Sequence, residues 1–372
     1  MTAAASKAPR VALVHDWLVS EGGGEHFLRH LHEMYPDAPI YTLVYDEEKA
    51  PAWVKDCDVR TTYMQKWPGA KSHHKLLLSF MPKAWESLDL TEYDLVISAC
   101  SSCCKGVLTR SNAVHVCYCH SPIRYVWDLY FDYYENAGRV KRFFMPRMIH
   151  RVRQWDFQAA QRVDYFLANS DYVGKRIRKF YRREAVTLYS GIEIPQEEVL
   201  DKRDDYYLVV SRFVSYKRVD LAIEACNLLG RRLVVVGSGG EEEARLREMA
   251  GPTVEFVGRA SDKELENYYA HARAFLFPGI EDFGLTPVEA MAGGCPVLAY
   301  GEGGATETVV DGQTGLFFYE QTAEALAACI EDFEGQTFCA AACRARAEQF
   351  SEARFKHEMR EFCNRALEKG AA

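Results

Sequence analysis

Short runs of β-branched and aromatic residues alternate with amphipathic segments along the whole chain. This rhythm is typical of parallel sheets that are covered by helices on both faces. In the first half, strands are predicted near residues 10–15, 39–44, 94–99, 114–118, 164–168 and 186–189. In the second half, they are predicted near residues 206–211, 232–236, 254–257, 274–277, 296–299 and 315–318. The pattern therefore predicts an α/β protein with two Rossmann-like domains.

The stretch SGIEIPQEEVLDKRDD, residues 190–205, separates these halves, because it loses apolar periodicity and gains charge and a proline. A chain of 372 residues is long enough for two cores of ordinary size. The predicted organisation is an N-terminal domain over 1–190, a linker over 191–205, a C-terminal domain over 206–350, and a helix over 351–372 that can cross back to the first domain. Ligands of open α/β sheets bind outside the carboxyl ends of the strands, so we expect a cleft between two facing domains.

Charge is distributed unevenly along the chain. Residues 1–200 hold 26 Lys and Arg against 24 Asp and Glu, whereas residues 201–372 hold 19 against 29. This balance argues against general nucleic-acid binding. The opening MTAAASKAPR lacks the charged-then-apolar pattern of a signal peptide, and no apolar run approaches the roughly 20 residues of a spanning helix. We therefore expect a cytoplasmic protein.

The chain has twelve cysteines, and part of this set falls within about one βαβ unit together with His120. These clustered cysteines are Cys100, Cys103, Cys104, Cys117 and Cys119. Their spacing is not the paired CxxC pattern of a zinc site. Most lie in or beside apolar strands, where free cysteine packs as a small hydrophobic residue. We therefore favour buried reduced thiols over a metal site, in agreement with a cytosolic location.

Two glutamates with seven residues between them flank the start of a predicted helix in PGIEDFGLTPVEAMAGGCPVLAY, residues 278–300. Thr286, Pro287 and Glu289 fit a capping box, with threonine at the N-cap, proline at the first helical position and glutamate at the third. Glu289 can therefore have a purely structural role. Glu281 precedes this cap, and no local pattern explains it, so it is the stronger candidate for a chemical role.

Two candidate anion sites follow predicted strands. The stretch SRFVSYKRVDLAI places Arg212 at a strand end and Lys217 before the next helix, where cations and free helix N–H groups can converge. A solvated basic turn is the alternative. The stretch SEGGGEHF places Gly22, Gly23 and Gly24 at a helix start, where the backbone can approach a phosphate. An ordinary tight turn is the alternative there.

His120 ends the predicted strand VHVCYCH and shares its sheet edge with the glycine-rich turn. A histidine at such a place can simply bind the loop, and His15 in LVHDW has the same position with a stronger structural explanation. We therefore rank His120 first among the histidines. The turn VVVGSGGEE, residues 234–242, has glutamate where a dinucleotide-binding fingerprint has its third glycine, so we reject NAD.

Together these fragments resemble the retaining glycosyltransferases of family 4, which have the GT-B fold. The resemblance covers essentially all 372 residues. Its motifs, in chain order, are EGGGE, CHSP, SRFVSYKRVDLAIEA, VEFVGRASDKEL, PGIEDFGLTPVEAMAGGCPVLA and DGQTGLFF. The stretches VHDWL, YTLVYD and CHSPIRYVWD are similar to O-antigen-type mannosyltransferases.

The resemblance implies roles for the glutamate pair and the two cations. Glu281 would hydrogen-bond hydroxyls of the transferred sugar, and Glu289 would accept from the nucleotide ribose. Arg212 and Lys217 would neutralise the charge that grows on the leaving diphosphate. Because retention in this family is explained by attack from the leaving-group face, Glu281 is assigned orientation and electrostatics rather than covalent catalysis.

The resemblance also implies the remaining contacts to the donor. The backbone N–H groups around Phe283, Gly284 and Leu285 would meet the diphosphate at the positive end of the helix. The other implied positions are Gly22 and Gly23 near the acceptor and donor phosphate, His120 at the donor sugar, and Gly258 and Arg259 near the base. No cluster of metal ligands is evident. We therefore expect no metal and no cofactor, only a GDP- or UDP-linked sugar as co-substrate.

The stretch GRVKRFFMPRMIHRVRQW, residues 138–155, holds six Lys and Arg and no acid. Phe144, Met148, Val152 and Trp155 recur at helical spacing behind Pro146. The pattern predicts an amphipathic helix with a basic side, as in helices that lie on anionic membrane surfaces. The alternative is that this stripe packs on the first domain and the charges are solvated.

The leading hypothesis is transfer of mannose from GDP-mannose to a lipid-linked saccharide during polysaccharide or glycolipid assembly. The enzyme would then be peripheral at the inner face of the cell membrane. One alternative is another GT-B sugar-nucleotide enzyme, of epimerase or phosphorylase type. The other is a non-catalytic sugar-nucleotide binder, which would not need Glu281, Arg212 and Lys217 together.

Overall fold

The computed structural model describes residues 8–135, 137–200 and 202–370. The chain divides into two compact units. Unit 1 contains the residues up to Tyr189 and those from Lys356 onwards, and unit 2 contains Ser190–Phe355. The residues expected to form a linker, 191–205, therefore fall within unit 2, and the last helix passes from unit 2 into unit 1 at Lys356.

The described part of unit 1 contains a seven-stranded parallel sheet. Its strands are β1 (Val11–His15), β2 (Ile40–Thr42), β3 (Val59–Thr61), β4 (Leu95–Cys100), β5 (Val114–Cys119), β6 (Tyr165–Ala168) and β7 (Ala185–Thr187). The spatial order is β3-β2-β1-β4-β5-β6-β7. Strands β1, β4 and β5 are buried at every position, as expected for central strands covered on both faces.

Strand β3 is the one strand of this sheet that the sequence pattern does not predict. It has three residues, all at least partly exposed, and it pairs only with β2, where Ile40 lies opposite Val59. A short edge strand has neither an apolar run nor a clear alternation, so its sequence lacks the usual signal.

The described part of unit 2 contains a six-stranded parallel sheet. Its strands are β8 (Tyr207–Val210), β9 (Leu233–Val236), β10 (Val254–Gly258), β11 (Ala274–Phe277), β12 (Val297–Tyr300) and β13 (Gly315–Phe318). The order is β10-β9-β8-β11-β12-β13. Each strand predicted in this half is present, so the prediction of two Rossmann-like sheets is confirmed.

Helices follow most strands. Those of the first half are α1 (Gly23–Met34), α2 (Ala70–His73), α3 (Met81–Glu86), α4 (Tyr130–Glu135), α5 (Arg139–Arg162) and α6 (Asp171–Tyr181). Those of the second half are α7 (Val219–Leu229), α8 (Glu243–Met249), α9 (Asp262–His271), α10 (Leu285–Ala292), α11 (Ala305–Thr308), α12 (Ala323–Glu334), α13 (Ala340–Glu348) and α14 (Glu352–Gly370). A full capping box does occur, at the start of α9, where Ser261 and Glu264 each bond the backbone of the other.

The cysteine-rich segment lies in the core of unit 1. The five clustered cysteines are buried and carry free thiols, as predicted. The carboxylate of the buried Asp16 accepts four backbone N–H bonds, at 2.7–2.8 Å, from residues 101–104. The adjacent Lys105 is buried and forms an ion pair with the buried Asp156 of α5. These polar contacts fix the turn after β4 inside an apolar core, where unpaired charges would be costly.

Candidate active site

Three loops meet at the carboxyl edge of the unit 2 sheet, because glycines let their backbones approach closely. A Cβ atom on Gly279, after β11, would lie 2.9 Å from the Cα atom of Lys217, in the turn after β8. A Cβ on Gly303, after β12, would lie 2.6 Å from the carbonyl oxygen of Glu281. The N–H of Gly304 donates to that same oxygen at 2.9 Å. The backbones that carry Lys217 and Glu281 are therefore held side by side.

The side chains of Lys217 and Glu281 form an ion pair between the ammonium and one carboxylate oxygen. They are 17% and 19% exposed. The structure thus brings together two residues that the sequence singles out separately. Partial burial lowers the local screening by water, so this pair interacts more strongly than a pair on the open surface.

Arg212 lies two residues beyond the end of β8 and is exposed. Its side chain has no hydrogen bond or ion pair among the residues that the structure describes, whereas its carbonyl oxygen accepts from the Ser211 hydroxyl at 2.9 Å. Arg212 therefore presents a cation at the same sheet edge as Lys217 without the neighbour that Lys217 has.

The predicted capping box at Thr286 is wrong. Helix α10 begins at Leu285, and its N-cap is Gly284, with φ 80° and ψ 89° and no side-chain cap bond. Glycine adopts this left-handed conformation readily, so the chain enters the helix two residues earlier than predicted. Glu289 is consequently the fifth helical residue and does not cap the helix. Its role must be sought in its side-chain contacts.

Glu289 accepts a hydrogen bond from the hydroxyl of Tyr269, on α9, with 3.1 Å between the oxygen atoms. Tyr269 is buried. Burial and then the negative charge of Glu289 raise the pKa of Tyr269 well above its ordinary value, so the phenol stays protonated and donates. The predicted ribose-binding carboxylate is therefore held by a residue that sequence reasoning missed.

The other residues predicted around the helix start have distinct surroundings. Phe283 is buried, and its ring lies 5.8 Å from that of Phe350 between centroids. Leu285 and Gly284 form the first turn and the N-cap of α10, where helix N–H groups lack carbonyl partners within the helix. This end of α10 has the polarity that attracts an anion.

Gly258 and Arg259 lie at the end of β10, two strands away from β8. Gly258 has a φ of 77°, and its carbonyl accepts from the Gly237 N–H at 2.7 Å. The exposed Arg259 donates from Nε to the Ser238 hydroxyl at 3.2 Å. The turns after β9 and β10 are therefore joined at the sheet edge.

In unit 1, Gly22 is the N-cap of α1, and Gly23 and Gly24 form its first turn. Gly22 has an extended backbone, with φ −176°, which other residues also adopt. Gly24 faces His15, because a Cβ there would lie 3.4 Å from the imidazole Cε1. The glycine stretch is thus the start of a helix next to β1 rather than a separate loop.

His15 and Glu25 form a buried pair beside these glycines, with 3.5 Å between Nε2 and Oε1. Burial lowers the pKa of His15, but the hydrogen bond and charge of Glu25, with the charges of Asp16 and Cys100, raise it above its ordinary value overall. The expectation of a structural role for His15 is consistent with this contact.

His120 follows β5, and its N–H donates to the carbonyl of Cys100 at 2.9 Å. Its ring is edge-on to Phe27 of α1, with 4.9 Å between centroids, so His120 lies beside the helix that the glycines begin. The next residue, Ser121, accepts from the buried guanidinium of Arg176 at 2.7 Å. Arg176 also donates to Asp128, at 2.8 Å, and so braces the loop that carries His120.

The segment 138–155 is helical, and its buried stripe agrees with the predicted one only in part. Val152 is buried, and Met148 and Trp155 are partly buried against the core. Met145, Ile149 and Val152 are buried, whereas Phe144 is 64% exposed. The helix begins at Arg139 and includes Pro146. Met145 and Ile149 have the same helical spacing as Phe144 and Met148, and the buried face includes the first pair rather than Phe144. Val140 and Phe143 are exposed as well, by 76% and 79%.

One group in unit 1 has metal-ligand chemistry: Asp16, Cys100 and Cys104 bring ligand atoms within 4.8 Å of one another. The carboxylate of Asp16 already accepts four backbone N–H bonds, which occupy the lone pairs that a cation would use. This group fits a structural turn better than a metal site.

Two family models match nearly the whole chain. The model described as Glycosyltransferase Family 4 matches residues 21–195, and the model described as Glycosyl transferases group 1 matches residues 191–352. Among curated proteins, the chain is 29% identical over 159 residues to the uncharacterized glycosyltransferase MJ1178 of Methanocaldococcus jannaschii, which covers 41% of this chain and 44% of that protein. It is 27% identical over 205 residues to a glycogen synthase of Xanthomonas campestris, covering 52% and 41%. The matches thus span less than half the length of these relatives.

Solved structures match over a much larger share of the chain. Anabaena Alr3699/HepE in complex with UDP and glucose has a TM-score of 0.70 at 19% identity, covering 96% of this chain and 99% of that one. Sucrose-phosphate synthase from Thermosynechococcus elongatus has a TM-score of 0.71 at 18% identity, covering 97% and 100%. These likenesses concern the fold.

The two parallel sheets, the helices around them and the matching structures define the class of the protein as the GT-B fold. The family matches, family 4 in the N-terminal part and group 1 in the C-terminal part, support a glycosyltransferase of GT-B type. No helix in the described part of the chain has the length and apolar character needed to cross a bilayer.

Proposed function

We propose that the protein is a retaining, metal-independent hexosyltransferase that uses a nucleotide-sugar donor. The observation that carries the proposal is the cluster at the carboxyl edge of unit 2: the Lys217–Glu281 pair, the N-terminus of α10, and Glu289 on that helix. Cations and helix N–H groups suit a diphosphate, and carboxylates suit the hydroxyls of a sugar and a ribose.

In this proposal, the diphosphate binds at the start of α10, near Gly284 and Leu285. Departure of the nucleoside diphosphate moves negative charge onto the diphosphate oxygens, where Arg212 and Lys217 stabilise it. Glu281 accepts from sugar hydroxyls while it remains close to Lys217. Because fixed cations and N–H groups meet the growing charge, the reaction does not depend on a divalent ion.

We propose that residues of unit 1 bind the sugar and the acceptor. His120 is a polar contact to the donor sugar, and its loop is held by the buried Arg176. Gly22 and Gly23 provide a helix N-terminus for a phosphate group of the donor or the acceptor. Gly258 and Arg259 are proposed for the nucleobase, at the end of β10.

The best-supported donor from the sequence is GDP-mannose, by similarity to O-antigen-type mannosyltransferases. Alr3699/HepE structures contain UDP or UDP-glucose, which makes UDP-sugars the necessary comparison. The proposed acceptor is a lipid-linked saccharide.

An exposed surface at the start of α5 supports the proposal of a lipid-linked acceptor. We name this surface the α5 basic-aromatic patch. It consists of Val140, Phe143 and Phe144, exposed by 64–79%, with the exposed cations Arg139, Lys141 and Arg147. Exposed aromatic and aliphatic side chains can enter the interface of a bilayer, and cations are attracted to anionic lipids. We propose that the protein is peripheral at the inner face of the cell membrane through this patch.

The test is a reaction survey with GDP- and UDP-linked sugars, with and without a lipid-linked saccharide acceptor. A transferase releases nucleoside diphosphate and forms a glycoside whose anomeric configuration, read by NMR, matches that of the donor. An epimerase would change the sugar without releasing nucleoside diphosphate, and a phosphorylase would need inorganic phosphate. A non-catalytic binder would bind donor without consuming it.

A further inference from the structure

Glu289 lies on a face of α10 that packs against α9. Gly293 is one helical turn further on and shares this face, since residues four apart in a helix are neighbours. A Cβ on Gly293 would lie 2.9 Å from the Cβ of Tyr269. The glycine therefore allows α10 to approach α9 closely enough for Glu289 to reach the Tyr269 hydroxyl.

Tyr269 is itself held firmly. It is 3% exposed, and its ring packs edge-on against Phe275 of β11, with 5.8 Å between centroids. The guanidinium of Arg203 donates to the carbonyls of Tyr269, Ala270 and Ala272 at 2.9–3.2 Å, and to that of Gly293 at 3.2 Å. Arg203 thus ties the end of α9 to the end of α10. The phenol hydroxyl has a fixed position and a fixed role as donor.

We propose that Tyr269 is a positioning residue, whose hydroxyl holds one carboxylate oxygen of Glu289 so that the carboxylate is oriented for the ribose of the donor nucleotide. The proposal rests on the proposed function, in which Glu289 accepts from that ribose. A partly buried glutamate still has several rotamers, and a hydrogen bond from a buried phenol restricts them before the nucleotide binds. The bond is also charge-assisted, which makes it stronger than a neutral one.

The proposal predicts a loss of ribose recognition rather than a general loss of binding when the hydroxyl is removed. Tyr269→Phe removes only the hydroxyl and keeps the ring that packs on Phe275. Tyr206→Phe is the matched control, because Tyr206 is a buried tyrosine of the same unit whose hydroxyl donates to the Tyr268 carbonyl at 2.9 Å. Melting temperatures of both variants check that the fold is retained.

The experiment is calorimetric titration of the whole protein with GDP and UDP, and then with the 2′-deoxy and 3′-deoxy forms of the tighter nucleotide. In the parent protein, loss of the bonded ribose hydroxyl should weaken binding about 10-fold or more, as for a hydrogen bond to a charged group. The discrimination ratio is the Kd of the deoxy nucleotide divided by the Kd of the nucleotide that keeps the hydroxyl. In Tyr269→Phe this ratio should fall about 3- to 10-fold. Tyr206→Phe should keep the parent ratio. Tyr269→Phe combined with Glu289→Gln should show no further loss of discrimination beyond Glu289→Gln alone.

The proposed role of Glu289 and the proposed role of Tyr269 would fail in different ways. If the parent binds neither nucleotide, or if Glu289→Gln leaves ribose discrimination unchanged, the proposed role of Glu289 is wrong. If Glu289→Gln abolishes discrimination but Tyr269→Phe retains the parent ratio, only the positioning role of Tyr269 is wrong. If Tyr269→Phe does not fold, the discrimination ratio is measured for Arg203→Lys instead. This ratio should fall if the fixed end of α9 orients Glu289. An unchanged ratio overturns the inference.

Discussion

Lys217 and Glu281 form an ion pair at the carboxyl edge of the second sheet. In the proposed reaction, Lys217 stabilises the charge on the diphosphate and Glu281 binds hydroxyls of the sugar. The diphosphate and the sugar are neighbouring parts of one donor. Their contact means that a substitution at either position changes the charge next to the other. Arg212 has no such partner among the described residues, so it provides the independent comparison.

Replacing the cations should impair turnover more than donor binding. Arg212→Ala and Lys217→Ala should each lower kcat about 100-fold, as when one electrostatic stabiliser of a transition state is removed. Lys217→Ala should also lower the melting temperature slightly, because Glu281 loses its cation, whereas the exposed Arg212 should be replaceable without such a change. Steady-state kinetics and thermal melting check both statements.

Arg232→Ala is the matched control for these cations. Arg232 is an exposed cation of the same unit, but it precedes β9 and so lies at the amino end of that strand. Its loss should leave kcat unchanged. Normal kcat with a raised KM in Arg212→Ala and Lys217→Ala would instead make them ground-state binders.

Glu281→Gln and Glu289→Gln should fail in different ways. Because Glu289 does not cap α10, and a glutamine oxygen can still accept from Tyr269, Glu289→Gln should fold normally and lose affinity for the bare nucleoside diphosphate. Glu281→Gln should leave that affinity almost untouched and depress turnover, because its proposed partner is the sugar. Calorimetry with GDP and UDP on both variants tests this division, which an equal loss of nucleotide affinity would contradict.

Most of the fold could be predicted because parallel strands buried on both faces leave dense apolar runs in the sequence. In unit 2, the strands β8, β9, β11 and β12 have such runs and are almost entirely buried. The edge strand β3 has three residues and none buried, so only its pairing with β2 makes it a strand. The buried stripe of α5 was misplaced at Phe144, because Phe144 and Met148 have the same helical spacing as the buried Met145 and Ile149, and periodicity alone does not choose between two neighbouring apolar stripes.

The positions of the site residues could be predicted, but their contacts could not. Arg212, Lys217 and Glu281 were expected near strand ends, and parallel topology brings those ends to one edge. The contact between Lys217 and Glu281 depends on the backbone approach at Gly279 and Gly303, which joins segments far apart in the chain. Likewise, the Thr286 pattern fits a capping box locally, but the left-handed Gly284 starts the helix earlier.

Turnover should survive removal of divalent ions. Arg212, Lys217 and the start of α10 would supply the positive charge that a bound metal supplies in other transferases. Donor consumption should therefore be equal in EDTA and in magnesium or manganese. A loss of turnover in EDTA that either ion restores would contradict the metal-independent proposal.

Removing charge from the α5 basic-aromatic patch should weaken binding to anionic vesicles. The combined change Arg139→Gln, Lys141→Gln and Arg147→Gln should lower vesicle binding at low salt, and the difference should shrink as salt rises, because salt screens exposed charges. Sedimentation with vesicles that contain phosphatidylglycerol measures this.

The matched control for the patch is the combined change Lys175→Gln, Lys179→Gln and Arg182→Gln, which removes three exposed cations at and just beyond α6. It changes the net charge equally but should retain vesicle binding. Phe143→Ser with Phe144→Ser should lower the binding that persists at high salt. Equal binding by all variants would favour a solvated surface.

The buried pair of His15 and Glu25 predicts a change in the pH dependence of unit 1. In the parent, burial lowers the pKa of His15, but the hydrogen bond and charge of Glu25, together with smaller contributions from Asp16 and Cys100, raise it overall. Because the pKa of His15 is raised in the folded state, protonation of His15 stabilises the fold, and this stabilisation is complete below the unfolded-state pKa of about 6.5. It is lost as the pH rises through the folded-state pKa. Glu25→Gln removes the main cause that raises the pKa of His15, so it should lower this pKa and make the loss of stability with rising pH smaller. NMR titration of the His15 ring and denaturant unfolding at several pH values measure both effects.

Glu21→Gln, at an exposed glutamate just before α1, is the control, because it removes the same charge and should leave the His15 titration nearly unchanged. An unaltered pKa of His15 in Glu25→Gln would show that the pair does not control this histidine.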